Sequence, residues 1–203
     1  MPKIEMPKGF FAVPDNYFKM NAAPDDPADS TPFGSESGGY QAFVIVYPIN
    51  ISSSMPYDNP ESLIAGIHKA LANNQGLIEV RNGKTKAGRE YIYSIVKTLQ
   101  GKEYGVQYTL TMHISFETYA MNISGFFNEN GMTGFREAMI YAHMRNENKV
   151  SDDAEGWTCD PYDKSFTKGL LMNLSEDRQF DAAFPEHPLT EARSFADFII
   201  ENN

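Results

Sequence analysis

A series of strand-like segments from Gly76 to Phe127 constrains the fold of this chain more than any other feature. The segments alternate apolar and polar side chains, as half-buried strands do, and short polar turns separate them. A helix precedes the series, with Asn59 as its N-cap and Pro60 at its first position, and we expect it to reach Gln75. A second helix is expected from Thr133 to Arg145. This order predicts an α+β fold in which helices flank a mainly antiparallel sheet.

Both predicted helices carry an apolar stripe that should face the sheet. In the first helix, Leu63, Ile67 and Leu71 recur at intervals of four residues. Helical spacing in the second helix groups five side chains on one side, which we expect to be buried: Phe135, Ala138, Met139, Ala142 and His143.

The third and fourth strands define the expected register of the sheet. We expect them to run from Tyr104 to Ser115 and from Glu117 to Phe127, joined by a tight turn at Phe116 and Glu117. This turn would place Met112 opposite Met121, so that apolar side chains meet on one face of the sheet.

The opposite face is predicted to be mixed, with aromatic side chains at one edge and polar ones in the middle, and it is the candidate site. The expected register pairs Thr111 with Asn122, and pairing back to the second strand adds Tyr91 and Tyr93 to this face. A histidine here, His113, could act as a general base, although no second titratable group is expected beside it. The candidate ligand- or partner-binding residues are therefore Tyr91, Tyr93, Thr109, Thr111, His113 and Asn122, with Trp157 from the C-terminal part of the chain.

Three segments precede the first helix. The residues from Gly9 to Pro14 predict a short strand, and the Pro-, Asp-, Ser- and Gly-rich segment from Asn21 to Gly39 predicts a mobile loop. The run from Tyr40 to Pro48 is almost continuously apolar, which favours a strand that is buried on both faces.

The composition changes after Arg145, because residues 148–203 hold twelve acidic against five basic side chains. Aromatic residues such as Trp157, Phe166 and Phe195 would be exposed if this part stood alone. We therefore expect residues 148–203 to form an ordered acidic extension, docked on a sandwich domain of residues 1–147 and ending in a helix capped by Thr190.

Charge and composition narrow the function classes. A net charge of -10 repels nucleic acids and anionic membrane surfaces, so neither is an expected partner. No apolar run reaches about 18 residues, and none follows the lysines near the start, so we expect neither a membrane span nor a signal peptide. The single cysteine, Cys159, cannot form an internal disulfide. These features predict a cytoplasmic protein. No metal site or cofactor is predicted, since no histidines or carboxylates have metal-ligand spacing.

The order of elements resembles that of the PsbP-like fold family. The resemblance rests on the strand at Gly9 and Phe10, the strand from Phe43 to Pro48, the helix at Pro60, the antiparallel meander from Leu77 to Phe127 and the helix after Gly134. It covers the first two-thirds of the chain. The family, which includes a photosystem II extrinsic protein, a yeast Ran-binding nuclear-import factor and many uncharacterised bacterial proteins, implies an α/β/α sandwich. Its better-known members dock on larger partners, and no family motif matches position by position.

Three functional hypotheses follow. The first is a non-catalytic protein-binding module of the bacterial cytoplasm, whose partner the sequence does not identify. The second is a small-ligand carrier or an enzyme with its site on the mixed face. The third is an acidic inhibitor or antitoxin-like protein that binds a basic nuclease. Because no catalytic motif is present, the sequence favours binding over catalysis.

Overall fold

The computed structural model describes residues 2–6, 9–101 and 105–203. Its centre is a seven-stranded sheet in which all neighbouring strands are antiparallel. In spatial order the strands are β3 (Phe18–Lys19), β4 (Thr31–Glu36), β5 (Tyr40–Asn50), β9 (Tyr119–Glu129), β8 (Val106–Ser115), β7 (Glu90–Leu99) and β6 (Gln75–Lys84). A separate hairpin consists of β1 (Lys3–Met6) and β2 (Gly9–Ala12). The mixed α+β class and the antiparallel sheet are confirmed.

The helices are α1 (Pro60–Ala70), α2 (Phe135–Asn146) and α3 (Pro188–Asn202). Short 3-10 helices occupy Ile51–Ser53, Leu174–Glu176 and Arg178–Ala183. In the described parts of the chain, no helix combines the length and apolar character needed to cross a bilayer.

Helix α3 covers the apolar face of the sheet and completes the main core. Its buried side chains Leu189, Phe195 and Ile199 belong to one cluster with Leu110 and Met112 of β8. Each large apolar side chain that is fully buried contributes roughly 1.5–3 kcal/mol. The C-terminal part of the chain is therefore essential to the main core, while the predicted division into two domains at residue 147 stays a prediction.

The register between β8 and β9 differs from the expected one by two residues. Met112 lies opposite Ile123, and Met121 lies opposite Ile114. The turn comes one residue later than expected, because Phe116 N–H donates to the carbonyl oxygen of Tyr119 across the tight turn. A shift of two keeps every side chain on its face, since side chains alternate with a period of two. Met112 and Met121 consequently share the buried face. Tyr104, the expected start of β8, lies outside the described residues.

Helix α1 packs over the edge of the sheet with its predicted stripe. Asn59 caps it by accepting a hydrogen bond from Ser62 N–H at 2.9 Å. A bulge between Leu77 and Glu79 turns Leu77 and Val80 toward α1. The expected end at Gln75 is wrong, because α1 stops at Ala70 and Gln75 already begins β6.

Two expectations for the N-terminal segments are also wrong. The segment from Asn21 to Gly39 is not all loop, because β4 pairs with β5 along its whole length and Phe33 is buried in the main core. Strand β5 is not buried on both faces. Val44 and Val46 are buried, whereas Phe43 and Ile45 on the opposite face are only half-buried.

Each of the two C-terminal helices has an N-cap residue other than the expected one. Helix α2 starts at Phe135, with Gly134 in the left-handed conformation (φ 70°) as its N-cap in place of Thr133. Helix α3 is capped by His187, whose Nδ1 accepts a hydrogen bond from Leu189 N–H, and Thr190 lies inside the helix.

Candidate functional site

The structure does not bring the predicted site residues together. Tyr91 lies opposite Ile114 and Tyr93 opposite Met112, so both tyrosines point into the apolar core beneath α3. Their expected position on the mixed face is wrong. The buried rings pack in the core, and the Tyr93 hydroxyl donates to Glu79 Oε1 at 2.6 Å, which satisfies the polar end of the side chain.

The other four sheet residues, Thr109, Thr111, His113 and Asn122, do share the mixed face. His113 lies opposite Asn122, and Thr111 lies opposite Ser124. The Nδ1 atom of His113 accepts a hydrogen bond from Met55 N–H at 2.8 Å. Burial lowers the pKa of His113, and its bond with Asn122 offsets part of this effect. With Nδ1 occupied, Nε2 carries the proton, so this neutral ring has no free nitrogen to act as a general base. A binding role for these residues stays a prediction.

Trp157 belongs to a different cluster, away from the sheet. It is buried among Ile140, Met144 and Val150, and its ring meets that of Tyr141 edge-on at 4.9 Å. This packing explains why a large aromatic side chain is present at Trp157. Its predicted binding role stays a prediction.

An accessible apolar surface lies at the start of α2. Met132, Phe135 and Met139 are 75%, 49% and 52% exposed. Beside them is a groove of about 550 Å³. We call it the apolar groove, and its lining includes Met132, Phe135, Phe184, Pro185, Pro188, Glu129 and Glu186. Adjoining exposed apolar side chains of this kind mark interaction surfaces more often than single ones do.

The reason for this exposure is an arginine on the opposite side of α2. The Arg136 guanidinium is buried, and it donates to Ser175 O at 2.6 Å, to Asp177 O at 3.0 Å and to Asp181 Oδ1 at 3.0 Å. The helix therefore turns Arg136, Ile140 and Met144 inward. The predicted buried stripe, from Phe135 through Met139 to His143, is wrong, because those side chains face outward.

The charged groups around the apolar groove are acidic. Glu129 and Glu186 line it, and its one cation among the described residues, Arg136, is paired with Asp181. Glu129 accepts Gly134 N–H at 2.9 Å through Oε1 and Val106 N–H at 2.9 Å through Oε2. These two bonds hold the start of α2 against β8.

A second, polar cavity of about 230 Å³ lies on the other side of Glu129 and His187, which line both spaces. Lys97 and Glu176 meet in it at 2.7 Å, each with its side chain 3% exposed. The Tyr108 hydroxyl donates to Glu176 Oε1 at 3.0 Å. Burial, followed by the charge of Glu176, raises the pKa of Tyr108 far above its usual range, so the phenol stays protonated.

The His187 side chain is 12% exposed and lies between the apolar groove and the polar cavity. Burial, with the charges of Arg136 and Arg193, lowers the pKa of His187 to about 3. The sequence signal that could have located it is Pro188, which is typical of the first position of a helix and makes the preceding residue the N-cap.

Comparisons with known proteins add little to these observations. No family model and no curated protein matches the chain. Among solved structures, the chain is similar to the Ran-binding protein Mog1p of Saccharomyces cerevisiae, with 9% identity, a TM-score of 0.39, and coverage of 76% of this chain and 87% of that one. It is also similar to PA94 of Pseudomonas aeruginosa, a protein of unknown function described as a putative regulator. That match has 9% identity, a TM-score of 0.34, and coverage of 74% of this chain and 96% of that one. No residue role is transferred from either protein.

Proposed function

We propose that this chain is a non-catalytic protein-binding module of the bacterial cytoplasm, and that the apolar groove receives apolar side chains of its partner. The observation that carries the proposal is the outward stripe of α2. Phe135 and Met139 of α2, with Met132 just before the helix, expose apolar surface, while α2 buries Arg136. Exposed apolar surface is unfavourable in water. Covering it with a partner contributes roughly 25 cal/mol of favourable free energy per Å² of apolar surface buried.

The charges indicate what kind of partner fits. Because Glu129 and Glu186 line the apolar groove and the chain has a net charge of -10, a partner segment with Lys or Arg beside its apolar residues is favoured. An acidic segment would be repelled. A basic partner is also what the inhibitor hypothesis requires.

A peptide-display selection tests the proposal while the partner is still unidentified. A random peptide library is selected against the full chain. We expect the recovered peptides to combine large apolar residues with Lys or Arg, and to lose affinity for the variant Phe135→Asp by about tenfold or more. The matched control is Leu99→Asp, which places the same charge at another exposed apolar residue, 42% exposed and outside the apolar groove.

Three results would count against the proposal. Peptides that bind Phe135→Asp as well as the unchanged chain would place their site elsewhere. Peptides rich in Asp and Glu would contradict the charge argument. A concentration-dependent dimer in light scattering that Phe135→Asp abolishes would make a second copy of this chain the occupant of the groove.

A further inference from the structure

The polar cavity has the size and the lining of a binding site for a small molecule. Its volume is about 230 Å³, and its lining residues are mostly polar. Pockets for drug-sized ligands span about 300–1,000 Å³, so only a smaller compound fits.

Two side chains in the cavity have hydrogen-bond donors to spare. An ammonium group has three N–H donors, and among the described residues Lys97 Nζ has only Glu176 Oε2 as a hydrogen-bond partner. Since His187 Nδ1 accepts from Leu189 N–H, its Nε2 carries the proton. Glu129 Oε1 is 3.9 Å from that nitrogen, too far for a hydrogen bond. An oxygen atom placed in the cavity would satisfy these donors.

Two carboxylates in the lining have acceptor sites to spare. A carboxylate offers about four such sites. Glu129 uses two of them on the backbone N–H groups of Val106 and Gly134, and Glu137 accepts one long bond from Asn173 Nδ2 at 3.4 Å. Lys97 is the one cation among the described lining residues, and Glu176 balances it. Two negative charges are left without a cationic side chain, and they favour a positively charged ligand.

We propose that the polar cavity binds a small amine that also carries a hydroxyl or carboxylate oxygen. The ammonium group lies against Glu129 and Glu137, and the oxygen accepts from Lys97 Nζ. This inference concerns a site separate from the apolar groove, and it holds whether or not the groove binds a protein.

Four small compounds test both halves of this recognition by isothermal titration calorimetry on the full chain. Ethanolamine and L-serine carry an amine and an oxygen, ethylamine lacks the oxygen, and ethanediol lacks the amine. We expect ethanolamine or L-serine to bind with a dissociation constant of about 1 mM or lower. Ethylamine and ethanediol should each bind about tenfold more weakly, because each loses one charge-assisted hydrogen bond.

The variant Glu137→Gln keeps the shape of the side chain and removes its charge. It should weaken ethanolamine binding by about tenfold. The matched control is Glu147→Gln, which removes an exposed carboxylate at the other end of α2. The proposal is overturned if neither ethanolamine nor L-serine binds at about 10 mM, if ethanediol binds as tightly as ethanolamine, or if both glutamine variants change binding equally.

Discussion

Helices α2 and α3 face the rest of the molecule in opposite ways. Helix α3 buries Leu189, Phe195 and Ile199 against the sheet. Helix α2 exposes Phe135 and Met139 and buries an arginine. The spacing of apolar residues along a helix therefore does not by itself determine which side of the helix is buried.

The surface that faces α2 combines an apolar cluster around Trp157 with polar backbone groups next to Arg136. The 3-10 helices Leu174–Glu176 and Arg178–Ala183 present the carbonyl oxygens of Ser175 and Asp177, with the Asp181 carboxylate beside them. Such buried acceptors are costly unless a donor reaches them. Arg136 satisfies all three, and it does so at the cost of leaving the apolar side of α2 in water.

The largest effect should follow from removal of α3. A chain that ends at residue 147 loses Leu189, Phe195 and Ile199, which cover Leu110 and Met112. We expect this fragment to aggregate or to unfold, because the exposed core surface has no other cover. Size-exclusion chromatography with light scattering checks the result. A monodisperse, folded fragment would show that residues 1–147 are an independent domain and that α3 is dispensable.

The contrast between α3 and α2 can be tested with one phenylalanine from each helix, and the buried Phe195 should give the larger effect. Phe195→Ala in α3 should lower the free energy of unfolding by about 3–5 kcal/mol, since Phe195 is 1% exposed and contacts Tyr17 and Phe127 ring to ring. Urea denaturation measures the change. A loss under about 1 kcal/mol would mean that the core collapses around the gap.

The sequence predicted that Met112 and Met121 lie on the same face of the sheet because alternation along a strand is a local property. It could not predict where α2 turns its apolar side, because that depends on the carbonyl oxygens of Ser175 and Asp177, some forty residues further along the chain. Tyr91 and Tyr93 were misplaced for a similar reason. Their face depends on the register across the connection between β7 and β8, and no local pattern determines that register.

The next prediction concerns Arg136, the buried arginine of α2. Arg136→Met keeps much of the apolar stem and removes the donors, so it should cost about 3–5 kcal/mol by leaving Asp181 and two carbonyl oxygens with fewer partners. Arg145→Met is the matched control, because Arg145 is on the same helix and its partner Asp152 is exposed, and it should cost about 0–1 kcal/mol. Equal losses for the two variants in urea denaturation would mean that Arg136 does not hold α2 in its orientation.

Acid should weaken the junction between the two helices through His187. Its pKa falls from 6.5 to about 3 on folding, so the unfolded chain binds the extra proton and stability declines as pH drops through that interval. The positive charges of Arg136 and Arg193 disfavour protonation of the imidazole ring. The carboxylate that faces the ring is that of Glu129, with Oε1 3.9 Å from Nε2. We expect His187→Gln to flatten the decline of the unfolding free energy between pH ~7 and ~4 relative to the unchanged chain. Parallel pH profiles for the two chains would contradict this assignment.

The smallest effect should come from Phe135, the exposed counterpart of Phe195. Phe135→Ala removes the same ring, but the side chain is 49% exposed, and its one described ring contact is Phe184 at a centroid distance of 6.2 Å. Because little apolar surface returns to water, the change in unfolding free energy should stay within about 1 kcal/mol. Met139→Ala, also half exposed on the same stripe, should behave alike. A loss from Phe135→Ala as large as that from Phe195→Ala would mean that the outward stripe of α2 stabilises the fold, which would remove the reason for assigning it to a partner.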